Sequence, residues 1–152
     1  MILKSETRCV VSVDSDMPVM TLDGLLLASQ LCPGQAVLTR KGVVPLMRVL
    51  RQHLSLHCIG ISPGVFGRSS PGSTTYLPAD QMIFLRDWRA QMFGLGREAR
   101  LPLCRLVNEE TIFDAGTRRL SLVTLQLETR QVIYAGGLEL CCGCGEQNLR
   151  AA

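Results

Sequence analysis

Short extended stretches divided by glycine, proline and aspartate turns run through this chain, and that pattern restricts it to an all-β fold. Cys9-Val10-Val11-Ser12-Val13 is rich in β-branched residues and reads as a strand, broken by Asp14-Ser15-Asp16. Met17 to Thr21 is a second extended piece, and Asp23-Gly24 is a tight hairpin signal. Cys32-Pro33-Gly34-Gln35 turns the chain again before a strand at Ala36 to Arg40, which ends at Lys41-Gly42. Val43 to Leu50 is an apolar run that suits a strand or a helix, with the strand preferred, and Leu54 to Ile61 reads as a further strand. Ala99 to Leu103 is extended, Leu103 to Val107 a single helical turn, and Thr111 to Phe113 a short strand. Leu120 to Leu127 alternates at period two, the clearest strand of all. A turn at Glu128-Thr129-Arg130 leads to a last strand over Gln131 to Ala135, closed by Gly136-Gly137. No stretch supports a helix of three turns.

The core is expected around Leu77 to Gly94. With Tyr76, that segment holds four of the seven aromatic residues, including the only tryptophan, Trp88. Each aromatic carries a large apolar payload, so a chain with few of them gathers its core around those it has. Met82-Ile83-Phe84-Leu85 suits a strand buried on both sides, and Arg86-Asp87-Trp88-Arg89 then turns the chain at the edge of the core.

A chain of 152 residues is one domain by length and buries roughly 68–70% of its unfolded surface, enough to fold without staples. Net charge is +3, too small to argue for nucleic acid. The 14 Arg against 2 Lys suit phosphate recognition through planar forks, but they are scattered, never in a run, which favours an ordinary basic surface. Seven cysteines, no secretory leader and no long apolar run give a cytoplasmic expectation, with no membrane contact.

Cys141-Cys142-Gly143-Cys144 contains a CxxC spacing, but zinc usually needs a second matching pair, so no metal is expected. Gly94-Leu95-Gly96 lacks the rest of a nucleotide-binding loop, and no cofactor is implied. His53 and His57 lie with Cys58 in one extended segment, where neighbouring His57 and Cys58 point to opposite faces. They read as structural residues. Asp80 and Asp87 read as turn residues that pair with Arg86 or Arg89. Trp88 between Arg86 and Arg89 has the composition of a protein-binding hot spot, beside the alternative of a core tryptophan fenced by solvated arginines. The Gly/Pro/Ser-rich loop 62–75 would complete such a surface.

Five ordered blocks give this chain its family likeness: Val19 to Gly24; Leu31-Cys32-Pro33-Gly34-Gln35-Ala36-Val37-Leu38-Thr39-Arg40; Leu85 to Ala90; Leu103 to Val107; and Val132 to Leu138. Over about 12–140 the chain resembles the bacterial Hint (Hedgehog/intein) domain, in particular its stand-alone type. The resemblance implies a horseshoe of short antiparallel strands with pseudo-twofold symmetry and little helix. Outside those bounds, residues 1–11 read as a lead-in strand and 141–152 as a cysteine-rich flexible tail.

Active members of that family cleave their own backbone. A Cys or Ser at the start of the domain attacks the preceding carbonyl, and a mid-domain His and a late His assist. By turn spacing the nucleophile position falls on Ser12, the mid-domain histidine on Gln81 and the late histidine on Arg130. Glutamine exchanges no proton near neutral pH and arginine stays protonated, so neither serves as a general base. Only eleven residues precede Ser12, little for such a domain to release. The expectation is a domain without autoproteolytic activity that serves as a scaffold for a protein partner. Its rival is self-cleavage by N–O acyl shift at Ser12.

Overall fold

Two long antiparallel strands form the spine of the molecule in the computed structural model, which describes residues 9–67 and 73–144. They are β6 (Arg48–Ile61) and β10 (Ile112–Leu127), paired from Ile112↔Ile61 to Gln126↔Arg48 with one bulge between Asp114 and Gly116. Both are longer than their sequence suggests. Arg48 and Arg51 in one strand, and Asp114 to Arg119 in the other, interrupt the apolar alternation, so each strand reads as a shorter piece. Gly60 is required where the pair closes, because a Cβ there would fall inside the ring of Phe113 opposite.

The first sheet has the order β13-β1-β10-β6-β7. Its β1 (Cys9–Asp14) runs from Cys9↔Leu127 to Asp14↔Leu122, with β13 (Gly143–Cys144) on its other side and β7 (Thr75–Pro78) at the far edge. Residues 1–8 of the expected lead-in lie outside the described residues, as do 68–72 of the loop and 145–152 of the tail. The tail boundary itself needs correcting. Cys141 ends a strand, Cys142 is buried, and Gly143–Cys144 is strand-paired. The apolar β-ladder, not a frayed end, claims these residues.

The second sheet has the order β3-β2-β4-β11-β12-β8-β9, with β5 paired to β4. Its members are β2 (Pro18–Thr21), β3 (Gly24–Leu27), β4 (Ala36–Thr39), β5 (Gly42–Pro45), β8 (Met82–Arg86), β9 (Glu98–Pro102), β11 (Val132–Ala135) and β12 (Leu138–Cys141). Both residues of the β11–β12 turn, Gly136 (φ +59°) and Gly137 (φ +82°), have positive φ, as a two-residue hairpin of primed type demands. Val43 to Leu50 is not one strand: Leu46 and Met47 separate β5 from β6. Thr111–Phe113 and Leu120–Leu127 are parts of the single β10.

Among the described residues one helix of five residues, α1 (Trp88–Met92), follows β8, and 3₁₀ turns cover Ala28–Gln30 and Leu103–Leu106. The inner faces of both sheets bury Val11, Val13, Ile59, Leu77, Ile83, Leu85, Leu125 and Ile133 in a common core. Hydrophobic burial stabilises by about 1.5–3 kcal/mol for each such side chain, which fixes strand register and so fixes β1 against β10. Trp88 is not part of this core. It is 50% exposed, and aliphatic residues take the place the sequence suggested for it.

Candidate functional site

β1 is fastened on one side to β10 and on the other to β13, but its second neighbour stops at Val10. Continuing that antiparallel register would bring Cys141 opposite Ser12. The Gln81 side chain fills the gap instead. Its Oε1 accepts the Ser12 N–H at 2.8 Å, and its Nε2 donates to the Cys141 carbonyl at 3.1 Å and to the Met82 carbonyl at 2.8 Å. One amide thus bridges two strands that do not pair directly. Gln81 is 1% exposed and both Nε2 hydrogens are used, so the group is held rigidly.

Ser12 is fully buried, and its Oγ lies 2.9 Å from Thr124 Oγ1, its register partner on β10. That contact joins two hydroxyls, either of which can donate. Ser12 and Gln81, placed together by family resemblance, therefore touch. Arg130 has no hydrogen bond to either among the described residues. It lines an adjoining cleft with Cys141 and Cys142.

Those thiols are protonated at neutral pH. Burial pushes Cys141 up to about 11 against the opposing pull of Arg100. Burial also pushes Cys142 up to about 12, with the neighbouring Cys9 and Cys141 adding to it and the Gln131 backbone and Arg130 opposing. A low-pKa thiol is the reactive kind, and neither of these is one.

The predicted binding residues form a separate cluster around a carboxylate that sequence reasoning missed. Glu139, in the middle of β12, is only 7% exposed. Arg86 Nε lies 3.1 and 3.2 Å from its two oxygens, and Arg89 contributes a guanidinium nitrogen at 3.7 Å. The Glu139 contact raises the Arg86 pKa further. A lone Glu in the apolar run Leu138 to Cys142 was the available signal, since a buried carboxylate demands cationic partners. Asp87 supplies Arg86 with only a 3.8 Å contact. It takes φ +56°, ψ −133°, an uncommon conformation for a non-glycine residue, to start α1. Trp88 lies half-exposed with the Arg89 guanidinium 5.4 Å from its ring.

His53 and His57 lie on the exposed stretch of β6, which β10 separates from β1 and Ser12. His57 Nε2 sits 3.0 Å from Asp114 Oδ1. Cys58, next to it, faces inward and its thiol is pushed up by burial, as strand alternation requires. Asp80 is exposed in the turn before β8. Among the described residues no cluster of three or more His, Cys, Asp or Glu is placed to hold a metal ion. No helix among them is long and apolar enough to cross a membrane.

Comparison with known proteins places this geometry. The family model described as "Hint domain" matches residues 12–141. A triply substituted form of the gp41-1 intein superposes with a TM-score of 0.55 at 13% identity, covering 85% of this chain and 97% of the intein. The gp41-1 intein without those substitutions gives 0.53 at 12% identity, with 88% and 97% covered. At such identities the likeness concerns the fold alone. No curated protein matches the sequence.

Proposed function

The chain belongs to the Hint domain family, and from that premise we propose that it has lost autoproteolytic activity and serves as a binding or interaction scaffold. The observation that carries the proposal is the state of Gln81. At the position where active relatives keep an imidazole, an amide with both hydrogens engaged spans β1 and β12. Such a group cannot take the Ser12 proton or hand one to a departing amine. Thr124, the hydroxyl beside Ser12 Oγ, is no base near neutral pH either. Loss of acid–base assistance alone costs about 10²–10⁴ in rate.

The peptide to be cleaved is poorly disposed as well. Val11 and Ser12 lie inside the β1–β10 ladder, opposite Leu125 and Thr124. Attack on the Val11 carbonyl requires that planar, paired amide to distort, which the ladder resists. A scaffold gains from the same features, since rigidity at β1 costs it nothing. The surface that suits a protein partner carries Trp88, half-exposed and backed by Arg89.

Self-cleavage at Ser12 is the second reading, and one contact favours it: the mid-domain side chain does grip the amide nitrogen of the nucleophile position. Incubation of the purified chain with hydroxylamine, followed by intact-mass measurement, separates the two. The scaffold reading predicts an unchanged mass. Release of residues 1–11, abolished in Ser12→Ala, would establish the ester-forming reaction instead.

A further inference from the structure

Arginines that the sequence scatters are gathered by the fold into one cleft. Arg40 and Lys41 form the turn between β4 and β5, Arg100 lies on β9, and Arg130 closes the turn between β10 and β11. All four line a cleft of about 510 Å³, to which no Asp or Glu contributes among the described residues. None of the four lies in ion-pair range of a carboxylate among those residues. The contrast with Arg86 and Arg89, both spent on Glu139, is direct.

Two of these cations are pre-positioned by one ring. The Arg40 and Arg100 guanidinium carbons sit 4.7 and 5.1 Å from the centroid of Phe84, which is itself 2% exposed. Holding two like charges on one aromatic is favourable through the ring quadrupole, but their mutual repulsion goes unanswered until an anion arrives. Phe84, Val132 and Cys141 form a small apolar cluster beneath them. Gln131 lines the same wall. Another cleft of similar size, about 500 Å³, carries Asp14 and Asp16, so basicity is not a general property of this surface.

We propose that the cleft of Arg40, Lys41, Arg100 and Arg130 binds a small phosphate-bearing polyanion. Planar guanidinium forks match phosphate oxygens, and four cations answer the several charges of a pyrophosphate group. The cleft volume falls in the range of roughly 300–1,000 Å³ typical of small-molecule sites, which favours a compact ligand over a nucleic-acid strand. The proposal extends the scaffold reading by naming a ligand class at the place where Arg130 stands for an imidazole. It can fail separately from that reading, because binding is read as heat and self-cleavage as a change of mass.

The test is calorimetric titration of the full chain with inorganic pyrophosphate in about 50 mM NaCl. The expected result is saturable one-to-one binding, weakened about tenfold by Arg130→Gln and by Arg100→Gln. Arg119→Gln, an equal charge change at an exposed position of β10, should leave the affinity within about twofold. Urea titrations of each variant establish that the fold is retained. No saturation up to about 5 mM pyrophosphate would overturn the proposal. So would equal weakening by Arg119→Gln, or a single-stranded oligonucleotide binding at least about ten times tighter than pyrophosphate.

Discussion

Replacing Gln81 by alanine removes the amide that joins β1 to β12, and the size of the effect follows from what is left behind. The Ser12 N–H, on a fully buried residue, loses its acceptor at 2.8 Å. The Cys141 carbonyl loses a buried donor at 3.1 Å, and the Met82 carbonyl a less buried one at 2.8 Å. A buried polar group left without its partner costs about 1–3 kcal/mol, so the two fully buried ones together cost about 2–6. The emptied volume adds about 1 kcal/mol, giving roughly 3–7 in all. Domains of this kind are stable by about 5–15 kcal/mol, so the variant should remain measurable in most of that range.

Urea unfolding followed by far-ultraviolet circular dichroism is the assay, with Gln81→Met beside it to refill the space without restoring the bonds. Methionine should recover about 1 kcal/mol and no more. Gln81→Glu adds a signed control. A carboxylate can still accept from Ser12 but faces the Met82 and Cys141 carbonyls, so its folded pKa lies above its unfolded one. An acid shifted that way costs stability as pH rises past the unfolded pKa, and this variant should be more stable near pH 4 than at pH 7, relative to wild type. A loss under about 1 kcal/mol for Gln81→Ala would refute the clamp.

Two further outcomes follow from the same contacts. Glu139→Gln leaves Arg86 and Arg89 without their shared counter-charge and should lower stability by about 2 kcal/mol, discounted from a fully buried pair because Arg86 is 40% exposed; urea titration reads it. Burial pushes the Cys142 thiol up to about 12 from its ordinary 9.0, so the unfolded chain releases that proton first and stability falls as pH rises from 9 towards 12. Between pH 9 and pH 10.5 the loss should be about 2 kcal/mol smaller in Cys142→Ala than in wild type, as unfolding curves at the two pH values would show.

The strands announced themselves where one face is apolar and the next residue is not. Leu120 to Leu127 alternates because β10 there is sandwiched between β1 and β6 above the core. The outer parts of β6 and β10 are half-exposed, and Arg51, His53, Arg118 and Arg119 carry no such period, so their continuity was hidden. At the site, Ser12 and Gln81 were legible only through family likeness, and the role of Gln81 was not. Its second partner, the Cys141 carbonyl, depends on where β12 departs from β1 while β13 stays paired to it, which no local pattern encodes. The basic cleft was invisible for the same reason. Positions 40, 41, 100 and 130 meet because Arg100 pairs with Phe84 across β8 and β9, the β4–β5 turn sets Arg40 over the same ring, and the β10–β11 turn lines the same cleft.

The most direct measurement of the central claim is the intact mass of wild-type chain and Gln81→His, each held for a day at several pH values between about 6 and 9 with and without thiol. An amide at position 81 that moves no proton predicts a single undiminished mass for the wild type under every condition. A species lacking residues 1–11 from the wild type, absent when Ser12 is alanine, would contradict it.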